Sequence, residues 1–150
     1  MCAAFNYQSR VTTPEEAVKV IKSGNRVFLT GNVSVPQKLL AALVKYAPSV
    51  QDVEVCQALT VGSADYVGPE MKGHLRVNSM FISANIRKAV QEGSADFTPV
   101  LLSEFPLLFK HGFLPVDVAM VHVSTPDEHG FCSLGVEGGL TKSAAESAKI

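Results

Sequence analysis

The densest run of potentially reactive side chains is Ser124-Thr-Pro-Asp-Glu-His-Gly130, with Cys132 and Ser133 just behind it. Asp127, Glu128 and His129 offer carboxylates and an imidazole, and a Cys132–His129 pair could generate a thiolate nucleophile. The spacing argues against both a thiolate site and a metal centre. Consecutive turn residues point in different directions, and no second His or Cys stands at zinc-ligand spacing. Cys132 reads most simply as a small apolar residue entering a strand.

A second candidate is Gly31-Asn32-Val33-Ser34, between an apolar run and a helix start. Free backbone N–H groups and the helix dipole make such a junction receptive to a carboxylate or phosphate. It lacks the second and third glycines of a dinucleotide fingerprint. Ser103-Glu104 repeats the same topology, and a glutamate there is stabilised as an anion by the helix it opens. Leu59-Thr60-Val61-Gly62-Ser63 is a weak phosphate-type loop, with one glycine and two hydroxyls. His122 reads as a core or near-core histidine on a strand face.

These segments need a scaffold, and the apolar pattern supplies one. Val116 to Val123 is apolar on both faces, which belongs to a strand in the middle of a covered, largely parallel sheet. The charged turn would then sit outside a carboxyl strand end, and Phe131 to Val136 would re-enter as another strand. Upstream, Thr13-Pro14-Glu15-Glu16 is a helix start with a cap, a first-turn proline and a capping box. Arg26 to Thr30 reads as a strand, Pro36 opens a helix carrying Leu39, Leu40, Leu43 and Val44, and Asp52 to Cys56 gives the next strand.

Leu75 to Phe81 and Asp96 to Leu102 are extended, separated by a helix capped at Ser83 and closed at Gly93. Ser103-Glu104-Phe105-Pro106 starts another helix, and residues 1 to 9 form an arm. A last helix, capped by Thr141, runs to Lys149 with no following strand, so the chain reads as truncated near its C-terminal end. This alternation predicts an α/β fold with a mostly parallel sheet and helices on both faces.

Bulk properties narrow the function. With 150 residues, 47% hydrophobic and 18% charged, the chain has the size and apolarity of one domain with a real core. A net charge of −1 gives no handle on nucleic acid or an anionic membrane. No apolar run approaches the roughly 20 residues that span a bilayer, and no signal-peptide pattern is present. Cys2, Cys56 and Cys132 are odd in number and scattered, so a reducing, cytoplasmic setting is expected. Three polar loops thus share one rim of the sheet. The expected ligand contacts are Gly31, Asn32, Val33, Ser34, Ser103, Glu104 and Ser133, with no metal ligand and no complete catalytic set. From residues alone this is a small-molecule site of undefined chemistry.

At Ser124-Thr-Pro-Asp-Glu-His-Gly-Phe-Cys-Ser-Leu-Gly135 the sequence resembles the acetyl-CoA hydrolase/transferase family, which includes 4-hydroxybutyrate and butyrate:acetate CoA-transferases. Thr141-Lys142-Ser143-Ala144-Ala145-Glu146, Leu102-Ser-Glu-Phe-Pro106 and Thr13-Pro-Glu-Glu-Ala17 extend the resemblance over nearly the whole chain. It implies an α/β domain of the class I CoA-transferase type, one of two similar halves. It also implies acyl-CoA and a small carboxylate as partners, coenzyme A entering as a thioester substrate rather than as a covalently bound cofactor, and homo-oligomeric assembly.

The implied route is ping-pong. A glutamate attacks the thioester, and a glutamyl-CoA intermediate then yields CoA to the acceptor carboxylate. The resemblance places that glutamate and the glycine-rich CoA-binding segment in the other, absent half, so Glu104, Glu128 and Glu146 are not candidates for it. The rivals are an acetyl-CoA hydrolase, a sugar-phosphate isomerase-like domain using Thr60 to Ser63, and a non-catalytic binding module.

Overall fold

A computed structural model describes residues 7–150. Most of the expected arm lies outside them, and Gln8–Arg10 form a single 3-10 turn. Among the described residues, five parallel strands form one sheet: β1 (Arg26–Leu29), β2 (Val53–Gln57), β3 (Leu75–Ser79), β4 (Asp96–Phe97) and β5 (Val118–Met120). Their spatial order is β4-β3-β2-β1-β5. In register, Val27 faces Val55 on one side and Val118 on the other. The chain winds outward from β1 to β4, then returns to the other flank of β1 for β5. That reversal makes the junction of β1 and β5 the topological switch point.

Alternation along the strands builds two cores. Val27, Leu29, Val53, Val55, Val77, Val118 and Met120 point into the first. It is covered by α1 (Pro14–Ala17), α2 (Gln37–Tyr46) and α3 (Arg87–Gln91). Phe28, Cys56 and Met80 point into the second, under α4 (Phe105–Lys110) and α5 (Gly139–Ser147). There the Phe28 and Phe109 rings meet edge-on, with centroids 5.5 Å apart. The sheet is therefore helix-covered on both sides, as a parallel sheet requires.

Local chemistry sets the helix starts. Thr13 Oγ1 accepts the Glu16 N–H at 3.2 Å, and Pro14 occupies the first position of α1. Pro36 precedes α2, whose Leu40 and Leu43 are buried. Asn25 and Gly24 then turn the chain into β1, with Gly24 at φ +76°.

Four expectations need correction. The strand foreseen from Val116 to Val123 is only Val118–Met120, and it is the last of the five rather than a central one. Its two apolar faces are explained by the two cores, since Val118 and Met120 enter one and Ala119 packs on the other. Phe131 to Val136 is not a strand but an irregular return segment with Phe131 and Val136 mostly exposed. Ser83 caps nothing, because its hydroxyl is drawn into a buried polar network, and α3 starts after Ile86.

The last helix differs too. It starts at Gly139, with Thr141 buried inside it, and ends at Ser147. Ala148 to Ile150 is extended beside β5: Ile150 N–H donates to Asp117 O at 3.0 Å and Ala119 N–H donates to Ile150 O at 2.8 Å. Ile150 thus sits opposite Val118 in a parallel register.

Candidate functional site

All five strands present their carboxyl ends to one rim, and the switch point on that rim is where open α/β sheets bind ligands. A cleft of about 320 Å³ lies there. One wall is Val33 and Ser34, after β1; the other is His122 to Ser124, after β5, together with Ser133 to Val136. Two segments far apart in sequence therefore face each other across the space. Of the expected contacts, Val33, Ser34 and Ser133 line the cleft, while Gly31 and Asn32 precede that wall without lining it.

Gly31 is fixed by a close approach. A Cβ on it would lie 2.3 Å from Leu59 O, so only glycine lets the β1 and β2 loops touch. Asn32 follows in the left-handed region at φ +51°, and its N–H donates to Leu59 O. Its side-chain Nδ2 donates to Glu137 Oε2, across to the opposite wall. Ser34 N–H closes the turn onto Gly31 O at 3.1 Å. The α2 N-terminus, which follows after Pro36, has no side-chain cap.

The opposite wall is pinned at its base. Ser124 N–H donates to Ser133 O, and Ser133 N–H donates to Ser124 Oγ, both at 2.9 Å. At the tip, Asp127 Oδ1 accepts the N–H groups of His129 and Phe131 at 2.9 and 2.8 Å. Asp127 is thus spent on folding the turn. Glu128 and His129 are exposed on it, away from the cleft lining. Cys132 is exposed, and no cluster of three metal-ligating side chains occurs among the described residues.

Ser103 and Glu104 do not join the cleft. They lie in an exposed 3-10 turn, Leu102–Glu104, that leads into α4. Thr60 and Ser63 are likewise spent internally. Tyr66 Oη donates to Gln57 Oε1 at 2.8 Å, Gln57 Nε2 donates to Thr60 Oγ1 at 3.1 Å, and Ser83 Oγ lies 3.2 Å from Thr60 Oγ1. Ser63 Oγ accepts the Asp65 N–H. Burial pushes the Tyr66 hydroxyl above its ordinary value, against the pull of these bonds, so it stays protonated. The network fixes the loop on which Gly31 and Asn32 rest and leaves no hydroxyl fork for a phosphate.

Glu137 is the functional-site residue that sequence reasoning missed. It is 7% exposed, immediately before the glycine pair that opens α5. A glutamate beside two glycines reads as a solvated turn residue, and its partner Asn32 is 105 positions away. A larger hollow of about 590 Å³, lined by Asp52, Met71, His74, Leu75 and Arg76 among others, lies toward the amino ends of β2 and β3. It has neither converging strand-end loops nor a helix N-terminus, and so is the weaker candidate.

An open, helix-covered parallel sheet with a cleft at its carboxyl-edge switch point defines an α/β domain of the doubly wound class. Residues 3–150 match the acetyl-CoA hydrolase/transferase N-terminal domain, and the chain belongs to that family. It is 41% identical to a 4-hydroxybutyrate coenzyme A transferase of Clostridium kluyveri over 96% of this chain and 34% of that protein. It is 39% identical to a succinyl-CoA:acetate/propanoyl-CoA:succinate CoA transferase of Fasciola hepatica over 89% of this chain and 28% of that protein.

Among solved structures, RipA from Yersinia pestis superposes with a TM-score of 0.83 at 29% identity, covering 95% of this chain and 36% of RipA. A 4-hydroxybutyrate CoA-transferase from Porphyromonas gingivalis gives 0.76 at 33% identity, over 95% and 32%. The chain spans about a third of the length of the curated relatives it matches.

Proposed function

We propose that this chain is the amino-terminal part of a CoA-transferase and shapes the carboxylate or acyl side of the cleft in which CoA passes between an acyl-CoA and a short-chain carboxylate. The observation that carries the reading is the switch-point cleft of Val33, Ser34 and Ser133. It offers the hydroxyls of Ser34 and Ser133, suited to a carboxylate, but no carboxylate placed as a nucleophile. The glutamate that would form the glutamyl-CoA intermediate comes from outside these residues. In this reading the chain binds and orients the acid, and the Ser34 and Ser133 hydroxyls meet negative charge on the reacting carboxyl group. Relatives named for 4-hydroxybutyrate and for butyryl-CoA:acetate transfer support acids of that size.

The rim supports a covered active site. Each strand is followed within a few residues by an exposed large apolar side chain: Val33, Val61, Phe81, Leu101 and Val123. Apolar surface of that kind marks a face that another body covers, here the catalytic half, in a homo-oligomeric cytoplasmic enzyme. The inward use of Thr60 and Ser63 favours this reading over the isomerase-like one.

The test is a titration of the isotope-labelled chain with butyrate, followed by NMR, alongside an assay for CoA exchange from butyryl-CoA to labelled acetate. Shifts should concentrate at Val33, Ser34 and Ser133 to Val136, with no exchange. CoA exchange by the chain alone would refute an external nucleophile. Shifts centred on His74 and Arg76 would refute the placement of the cleft.

A further inference from the structure

Glu137 holds an unusual position for a carboxylate. Burying such a group costs several kcal/mol unless hydrogen bonds replace its water. It is 7% exposed, and its recorded partner is the side chain of Asn32. Among the described residues this is the one side-chain hydrogen bond joining the Gly31–Ser34 loop to the segment 121–138. Its placement matters as much as its burial. Asn32 immediately precedes Val33, and Glu137 immediately follows Val136, which are cleft-lining residues on opposite walls. The bond therefore spans the cleft one residue behind its lining on each side.

Asn32 is also the point at which the first wall is most constrained. Its left-handed φ of +51° is uncommon for a residue with a side chain. Its N–H is held by Leu59 O, and it bridges Thr60 across the β1 and β2 loops. Thr60 is in turn anchored by the Gln57–Tyr66–Ser83 network. Glu137 adds the last fixed point, from a different layer of the fold. With Asn32 held on both its backbone and its side chain, the Val33 and Ser34 groups are presented at a set distance from Ser133 to Val136.

We infer that Glu137 is a positioning residue that sets the separation of the two cleft walls through Asn32. The inference rests on the cleft being the carboxylate side of the proposed transferase site. It adds that fit to the acid depends on a residue that does not line the cleft.

The test compares the wild-type chain with Glu137→Ala and Glu137→Gln. Amide hydrogen exchange is read by NMR, and butyrate affinity is read by titration. In Glu137→Ala, exchange at the Asn32 and Ser34 amides should rise by roughly tenfold, the scale of losing one hydrogen bond to a charged group. The Val55 amide in the sheet should be unchanged, and butyrate should bind more weakly. Glu137→Gln keeps a carbonyl acceptor for Asn32 Nδ2 and should restore both readings. Unchanged exchange at Asn32 and Ser34, an increase spread evenly through the sheet, or a Gln variant no better than Ala would each overturn the inference. If wild-type chain shows no butyrate response, the transferase-cleft reading fails, while the exchange data still decide whether Glu137 fixes the walls.

Discussion

Thr141 carries the clearest quantitative prediction. Its residue is fully buried, and its Oγ1 is the one buried side-chain polar atom without a hydrogen-bond partner among the described residues. An unpaired buried hydroxyl costs about 1–3 kcal/mol in lost hydration. Valine has nearly the same shape, the same branching at Cβ and a similar helix propensity, so Thr141→Val removes the cost without opening a cavity. A gain of about 1.5 kcal/mol is expected from the middle of that range. With a urea m-value of about 2 kcal/mol/M, the unfolding midpoint should rise by roughly 0.7 M at unchanged m. Thr141→Ser separates the two atoms, because it keeps the hydroxyl and deletes the methyl. It should lose about 1 kcal/mol for the buried methyl and the space it leaves. Urea melts followed by circular dichroism measure both variants. A Thr141→Val chain less stable than wild type would show that the hydroxyl is satisfied, and the reasoning would be wrong.

Two further outcomes follow from ionisation. Burial pushes the Cys56 thiol up to about 12, with Glu54 adding to the rise, whereas Cys132 is exposed. Maleimide labelling followed by peptide mass spectrometry should therefore modify Cys132 in the native chain and reach Cys56 only after unfolding; native labelling of Cys56 would contradict the packing described for β2. Asp117 is held below its ordinary 3.8 chiefly by Lys149 Nζ at 2.7 Å and then by the Arg26 N–H at 2.8 Å, against the opposing effect of burial. A depressed carboxyl stabilises the fold above 3.8, and the contribution disappears as pH falls through its folded value. Asp117→Asn should flatten the acid limb of the stability curve below 3.8 and leave its slope near neutrality unchanged; an equally steep acid limb in the variant would refute the assignment.

What the sequence made legible was local. Thr13, Pro14 and Glu16 announce α1 because the cap, the proline and the first-turn acid are all within four positions. The apolar runs of β1 and β2 are unmistakable for the same reason. Long-range pairing was not legible. Val121 and Val123 look like more strand, but after Met120 the ladder closes when Thr30 N–H and Oγ1 both turn to Met120 O. The family motif was read correctly as diagnostic, and the structure explains it as turn chemistry centred on Asp127. Gly31 was read as an anion-loop glycine, yet its necessity comes from Leu59 O, which no spacing rule reveals. The buried role of Glu137 was invisible for an analogous reason, since it exists only once β1 and α5 are brought together.

The two flanks of the sheet differ in their capacity to grow. On the β4 side the ladder is two residues long, and the Arg76–Asp96 ion pair stands beside it, features that discourage a further strand. On the β5 side Ile150 has already taken the first rung opposite Val118. The β5 flank is thus partly paired, parallel, and in the register that this rung sets. Because side chains alternate with a period of two, the same register fixes which face of the sheet each residue of that flank presents. A single pair of backbone hydrogen bonds at Ile150 therefore acts as a ruler for the β5 flank.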